Sequence, residues 1–157
     1  MEISLTQPHN LIAPTSIGRA VSRASARVNQ LANKLLAPHD LTLQQWVVLS
    51  ALWQQDGISV GALCKFTNNA LPAMSRLTDR MEKAGWLEKR ADENDGRTSL
   101  LYLSVRGEEK RELATFYRQM NEILLAGMSA TEQEMLFDLL SRLHNNAATA
   151  ISPDSDG

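Results

Sequence analysis

The stretch Leu71-Pro-Ala-Met-Ser-Arg76-Leu-Thr-Asp-Arg80-Met-Glu-Lys-Ala-Gly85-Trp-Leu-Glu-Lys-Arg90-Ala-Asp-Glu-Asn-Asp95-Gly-Arg-Thr-Ser-Leu100-Leu-Tyr-Leu103 decides the fold, because its period changes partway along. Up to Gly85 the apolar residues Leu71, Met74, Leu77, Met81 and Ala84 recur at helical spacing, which predicts a buried stripe. Ala73, Arg76, Asp79, Arg80 and Lys83 fall on the other face. Asn69 is the expected N-cap, Pro72 sits in the first turn where its missing N–H costs little, and Gly85 is the expected stop. Beyond Gly85 the pattern is that of strands. Trp86–Arg90 reads as one strand and Ser99–Leu103 as a second, with Leu101 and Leu103 on one face. Asp92-Glu-Asn-Asp-Gly96 between them is turn chemistry, so the segment closes as a β-hairpin.

Working outward, helices surround this unit. On the N-terminal side, Thr42-Leu-Gln-Gln45 is a capping box opening a helix through Trp46, Val47, Leu49, Leu52 and Trp53. Asp56-Gly57 is a turn, and Ser59 caps a short helix with Val60, Leu63 and Cys64 inward, broken at Thr67-Asn68-Asn69. Further upstream Ile17, Val21, Ala24, Val28, Leu31 and Leu35 mark a long helix ended by Pro38, with Arg19, Arg23 and Arg27 as a second stripe. Downstream, Ser104 is expected to cap one long helix carrying Leu113, Phe116, Tyr117, Met120, Ile123 and Leu124 as far as Gly127. Ser129-Ala-Thr-Glu132 is a second capping box, and the last helix carries Leu136, Leu139, Leu140 and Leu143. The expected organisation is an arm over residues 1–14, helical regions over 15–37 and 104–146, a helix-turn-helix with a hairpin wing over 40–103, and a disordered tail over 147–157. The fold class is mostly α.

Composition narrows the function classes. The chain has 157 residues, 43% hydrophobic and 22% charged, as expected of a soluble protein. No apolar run approaches the roughly 18–20 residues of a membrane span, and the N-terminus shows no signal pattern, so a cytoplasmic location without membrane attachment is expected. The single cysteine, Cys64, excludes an intramolecular disulfide framework and a cysteine-rich zinc site. His9, His39 and His144 are scattered, and no metalloprotease, nucleophile-elbow or phosphate-loop pattern occurs, so neither a metal, a cofactor nor an enzyme is expected. The net charge of −2 superficially argues against nucleic acid. Divided along the chain, residues 1–64 carry +1, residues 65–118 carry +2 and residues 119–157 carry −5. The acidity therefore belongs to the C-terminal quarter and leaves the middle free to present cations locally.

A helix-turn-helix followed by a two-stranded wing is a DNA-reading arrangement, in which the second helix enters the major groove. The candidate contacts from that helix are Asn69, Ala70, Ala73, Ser75, Arg76 and Arg80. The alanines allow close backbone approach, and the arginines suit phosphate or guanine. At the hairpin tip the candidates are Asp95, Arg97 and Thr98. Arg97 suits a narrow minor groove, and Asp95 is placed to hold it. Arg106, Lys110 and Arg111 are expected to pair with nearby glutamates. A winged helix used for protein contact stays open as an alternative, distinguished by an apolar, salt-insensitive face in place of a basic one.

Residues 63–107 resemble the MarR (multiple antibiotic resistance regulator) family of winged-helix transcription regulators. The resemblance lies in Ser75-Arg76-Leu77, Asp79-Arg80-Met-Glu82-Lys-Ala-Gly85-Trp-Leu, Asp95-Gly-Arg97, Leu101, Leu103 and Ser104-Val-Arg-Gly107. It departs at Asn68-Asn69-Ala70 and at Val105, where the family usually has Pro. The resemblance implies a homodimer whose N- and C-terminal helices intertwine. It also implies a palindromic double-stranded operator, and a repressor released by a small aromatic or anionic ligand. Arg19, Arg23 and His39 are the candidate ligand anchors, with Trp46 and Tyr117 as candidate pocket lining. Oxidation of Cys64 is an alternative signal.

Overall fold

The computed structural model describes residues 16–67 and 69–151. Ser16 accepts the Arg19 amide and opens helix α1 (Ile17–Leu36), which Pro38 closes through a 3₁₀ turn over Ala37–His39. Asp40, in the left-handed region at φ 60°, turns the chain toward α2 (Leu43–Gln54). The Thr42 box forms in full: the Thr42 hydroxyl accepts the Gln45 amide while the Gln45 side chain accepts the Thr42 amide. Strand β1 (Ile58–Ser59), helix α3 (Val60–Thr67), helix α4 (Leu71–Lys83) and strands β2 (Leu87–Ala91) and β3 (Ser99–Leu103) complete the winged unit. The sheet order is β1-β3-β2, antiparallel throughout, with Leu87 opposite Leu103 and Lys89 opposite Leu101. The sequence predicts two strands; the third, β1, is two residues long and carries no period of its own. Gly57, at φ 77°, starts it by donating to the Leu101 carbonyl, and the Asp56 carboxylate takes the Leu103 amide.

The described residues form two compact units, the first ending at Ala114 and the second beginning at Thr115. Leu36, Val48, Leu49, Leu52, Leu63, Met81, Trp86, Leu87 and Leu101 are the fully buried centre of the first. At roughly 1.5–3 kcal/mol for each large apolar side chain removed from water, this core accounts for the stability of the winged unit. In the second unit Phe116 and Met120 of α6 (Phe116–Leu124) are buried, whereas no residue of α7 (Ala130–Ile151) is. The Ser129–Glu132 box opens α7 as expected, and Gly127 at φ 81° stands between the two helices.

Three expectations need correction. The helix foreseen from Ser104 is broken into α5 (Val105–Glu108), a 3₁₀ stretch (Arg111–Thr115) and α6. The cause is non-local. The Trp53 indole donates to the Gly107 carbonyl at 3.0 Å and the Trp46 indole to the Leu113 carbonyl at 2.8 Å, while the Lys110 and Leu113 amides turn back three residues instead of four. The Ala147 tail is helical as far as Ile151, because alanine-rich sequence propagates a helix already nucleated upstream; residues 152–157 and the arm over 1–14 lie outside the described residues. Tyr117, counted on the apolar stripe of the helix foreseen from Ser104 and as candidate pocket lining, is exposed.

Candidate nucleic-acid interface

Helix α4 begins one residue later than the sequence suggests. Ala70, not Asn69, is the N-cap and supplies no side-chain bond, so Pro72 falls at the second helical position. Met74, Leu77, Thr78 and Met81 turn inward; Leu71 and Ala84, expected to be buried, are exposed because each lies at an end where the helix leaves the core. The other end is closed tightly. Gly85 at φ 76° donates to Glu82, and Trp86 donates to Met81, both at 2.9 Å. This paired closure satisfies two carbonyls at the end of the helix.

The exposed face of α4 presents Ala73, Arg76, Asp79, Arg80 and Lys83. With Leu43, Gln44 and Val47 of α2, the residues Asn69, Ala73, Arg76 and Arg80 line a groove of about 370 Å³. The predicted contacts Asn69, Ala73, Arg76 and Arg80 are thus brought to one concave surface; Ala70 is exposed beside it and Ser75 is half-buried. Among the described residues no carboxylate forms an ion pair with Arg76, Arg80, Lys83 or Arg97. The carboxylates that could have neutralised this face are engaged elsewhere. Asp79 bonds the Lys89 ammonium, which holds its carboxyl below the usual range, and Glu82 accepts the Lys89 amide at 2.9 Å. Sequence reasoning passed over Lys89. Its strand position hid it, because the partners ten and seven residues away lie across a helix-to-strand turn.

At the wing tip the Asp95 carboxylate accepts the Arg97 backbone amide at 3.1 Å and the Thr98 hydroxyl at 2.8 Å, and the Asp95 carbonyl accepts the Thr98 amide at 2.8 Å. Asp95 therefore shapes the loop backbone rather than gripping the Arg97 guanidinium, which stays exposed and without an ion pair among the described residues. Arg106 departs from its expected glutamate pairing. Its guanidinium donates to the Ala84 carbonyl at 2.6 Å and lies 3.8 Å over the Trp86 ring. Arg111 does pair, with Glu108, and also donates to the Trp53 carbonyl at 2.8 Å.

The candidate ligand residues are dispersed over their elements. Arg19 and Arg23 are exposed on α1, His39 is half-buried in the 3₁₀ turn, and the Trp46 indole is committed to Leu113. Tyr117 is exposed on α6 with the Arg118 side chain at its hydroxyl. Three grooves of the first unit, of about 370, 410 and 390 Å³, are lined by none of these five residues. Cys64 is free and half-buried on α3. Among the described residues no three His, Cys, Asp or Glu side chains gather to hold a metal, and no helix is long and apolar enough to cross a membrane.

Comparison with known proteins places this geometry in a context. A family model described as the MarR family matches residues 41–99, from the turn before α2 to the first residue of β3. The uncharacterized HTH-type transcriptional regulator YdgJ of Bacillus subtilis is 33% identical over 104 residues, covering 63% of this chain and 61% of the relative. The multiple antibiotic resistance protein MarR of Escherichia coli is 31% identical over 91 residues, covering 58% of this chain and 63% of the relative. The matched segment thus spans about three fifths of the length of each of these relatives. The crystal structure of a mutant MarR from Escherichia coli complexed with operator DNA superposes with a TM-score of 0.76 at 27% identity, over 88% of this chain and 99% of that one.

Proposed function

We propose that this chain, which the MarR family model matches over residues 41–99, is a DNA-binding transcription regulator of that family acting as a homodimer on a palindromic operator. In this reading α4 lies in the major groove with Asn69, Ala70, Ala73, Ser75, Arg76 and Arg80 toward the DNA, and Arg97 reaches the neighbouring minor groove. The observation that carries it is the unpaired state of Arg76, Arg80 and Arg97 among the described residues, on a helix face and a wing tip whose own carboxylates are engaged elsewhere. Cations left free of internal partners are available to exchange counterions for phosphate. The exposed α4 face is charged rather than apolar, which favours DNA over a protein partner.

The homodimer is supported by apolar surface that the single chain leaves open. Ile17 on α1, and Met135, Phe137, Leu139 and Leu140 on α7, are all exposed. A second copy covering these faces would set two recognition helices about one DNA turn apart. Repression relieved by a small aromatic or anionic ligand belongs to this proposal, with Arg19, Arg23, His39, Trp46 and Tyr117 as the residues to test. Genomic fragments retained by the purified protein identify the operator. Arg97→Ala is expected to weaken binding to the enriched fragment by about tenfold or more with dimerisation intact. Unchanged affinity removes the minor-groove contact, and retention of no fragment removes the reading.

A further inference from the structure

The two ends of α4 are built differently. At its N-terminus Ala70 offers no side-chain bond. At its C-terminus and just beyond, the carbonyls of three successive residues are taken by one segment. Arg106 donates to Ala84 at 2.6 Å, the Ser104 hydroxyl donates to Gly85 at 2.6 Å, and the Ser104 amide donates to Trp86 at 3.4 Å. The Gly107 amide in turn holds the Ser104 hydroxyl at 3.1 Å. Gly107 is pressed so close that a Cβ there would lie 2.3 Å from the Trp86 carbonyl oxygen. The segment is itself fixed to α2, through the Trp53 indole on the Gly107 carbonyl and Arg111 on the Trp53 carbonyl.

We infer that Arg106 is a positioning residue for DNA recognition, setting the angle of α4 from the end remote from Asn69, Ala70 and Ala73; the inference rests on the DNA-binding reading above. Helix ends leave carbonyls unpaired and carry partial negative charge, so a cation donating there is favoured. Arginine alone joins both contacts seen here, since its planar group stacks on the Trp86 ring while an in-plane N–H reaches the carbonyl. Leverage makes the contact matter. At about 1.5 Å per residue α4 is roughly 20 Å long, so a tilt of about 5° at one end moves the other by about 2 Å. Bidentate contacts to base edges do not survive such a shift, whereas contacts to phosphate adapt more readily.

The test compares Arg106→Met, which keeps bulk over Trp86 without a donor, with Arg106→Lys, which keeps a charged donor without the planar face. Arg106 is exposed, and a thermal melt checks that both variants fold. Anisotropy measures binding to the most enriched genomic fragment and to a random-sequence duplex of equal length, over a range of salt. Arg106→Met is expected to lose about tenfold affinity for the enriched fragment, to bind the random duplex within about twofold of wild type, and to keep the wild-type salt slope. Arg106→Lys should fall between the two. Wild-type affinity of Arg106→Met for the enriched fragment overturns the inference. So does an equal loss on both duplexes, which marks a general structural role. A salt slope reduced by about 0.9 overturns it too, since Arg106 would then contact phosphate directly. Wild-type protein that binds neither duplex overturns the DNA-binding reading and this inference with it.

Discussion

At the residue scale, Arg97 and Asp95 separate the two jobs of a wing tip. Arg97 supplies a cation without an ion pair among the described residues, while Asp95 spends both carboxylate oxygens and its carbonyl on the backbone amide of Arg97 and on Thr98. The affinity attributed to Arg97 therefore depends on a loop held by Asp95. Asp95→Ala is expected to weaken operator binding by about 1–2 kcal/mol with the Arg97 side chain present, and Arg97→Ala should cost less in that background than alone. Anisotropy on the four proteins of the double-mutant cycle measures this; strictly additive losses would show that the two residues act independently. The Asp-Gly-Arg sequence announced a turn and a cation, and both are there. It did not announce which atoms Asp95 would hold, because a carboxylate two residues from an arginine can bond its amide or its side chain, and only loop geometry chooses. Arg106 was less legible still: nearby Glu109 and Lys110 suggested a helical charge pattern, whereas its partners, Ala84 and Trp86, are twenty and more residues away.

At the scale of elements, legibility follows the range of the interactions that make each one. Helices α1, α2 and α7 open at caps made within four residues; the sequence reading names Thr42 and Ser129 and passes over Ser16. The break between α5 and α6 depends on two indoles 54 and 67 residues away, and strand β1 exists because Gly57 and Ile58 meet β3. Neither leaves a local period. The cap of α7 also titrates. The Ser129 amide and hydroxyl both donate to the Glu132 carboxylate, which holds its pKa below the usual glutamate value. A carboxyl with a depressed folded-state pKa stabilises the fold above its ordinary pKa, and that contribution disappears as pH falls through the depressed value. Amide exchange in the first turn of α7 should therefore quicken as the solution is acidified below about pH 4.5, relative to the middle of the same helix. Glu132→Gln should remove the pH dependence; a first turn equally protected on both sides of that range would mean that the carboxylate adds nothing to the cap.

On the scale of the whole molecule, the acidic quarter and the exposed apolar face coincide. Residues 119–157 carry −5 and hold α7, where Met135, Phe137, Leu139 and Leu140 are exposed although the helix is otherwise well capped. Acidic residues there repel phosphate, so this end of the chain is unsuited to DNA and suited to a second protein surface. Exposed apolar residues in this number mark such a surface. On the proposed reading DNA affinity rests on a few placed arginines, and pairing two copies would make few contacts suffice: the second half-site would bind as an intramolecular event, at an effective concentration far above that of free protein. Leu140→Glu puts a charge on the apolar surface of α7, at a side chain that is 47% exposed. It is expected to turn a dimer into a monomer in sedimentation at micromolar concentration and to lower operator affinity by a factor of about 100 or more. Binding to a random duplex, which needs no second half-site in register, should fall much less. A wild-type protein that sediments as a monomer, or a Leu140→Glu variant that stays dimeric and binds the operator normally, would place the pairing surface elsewhere on the chain.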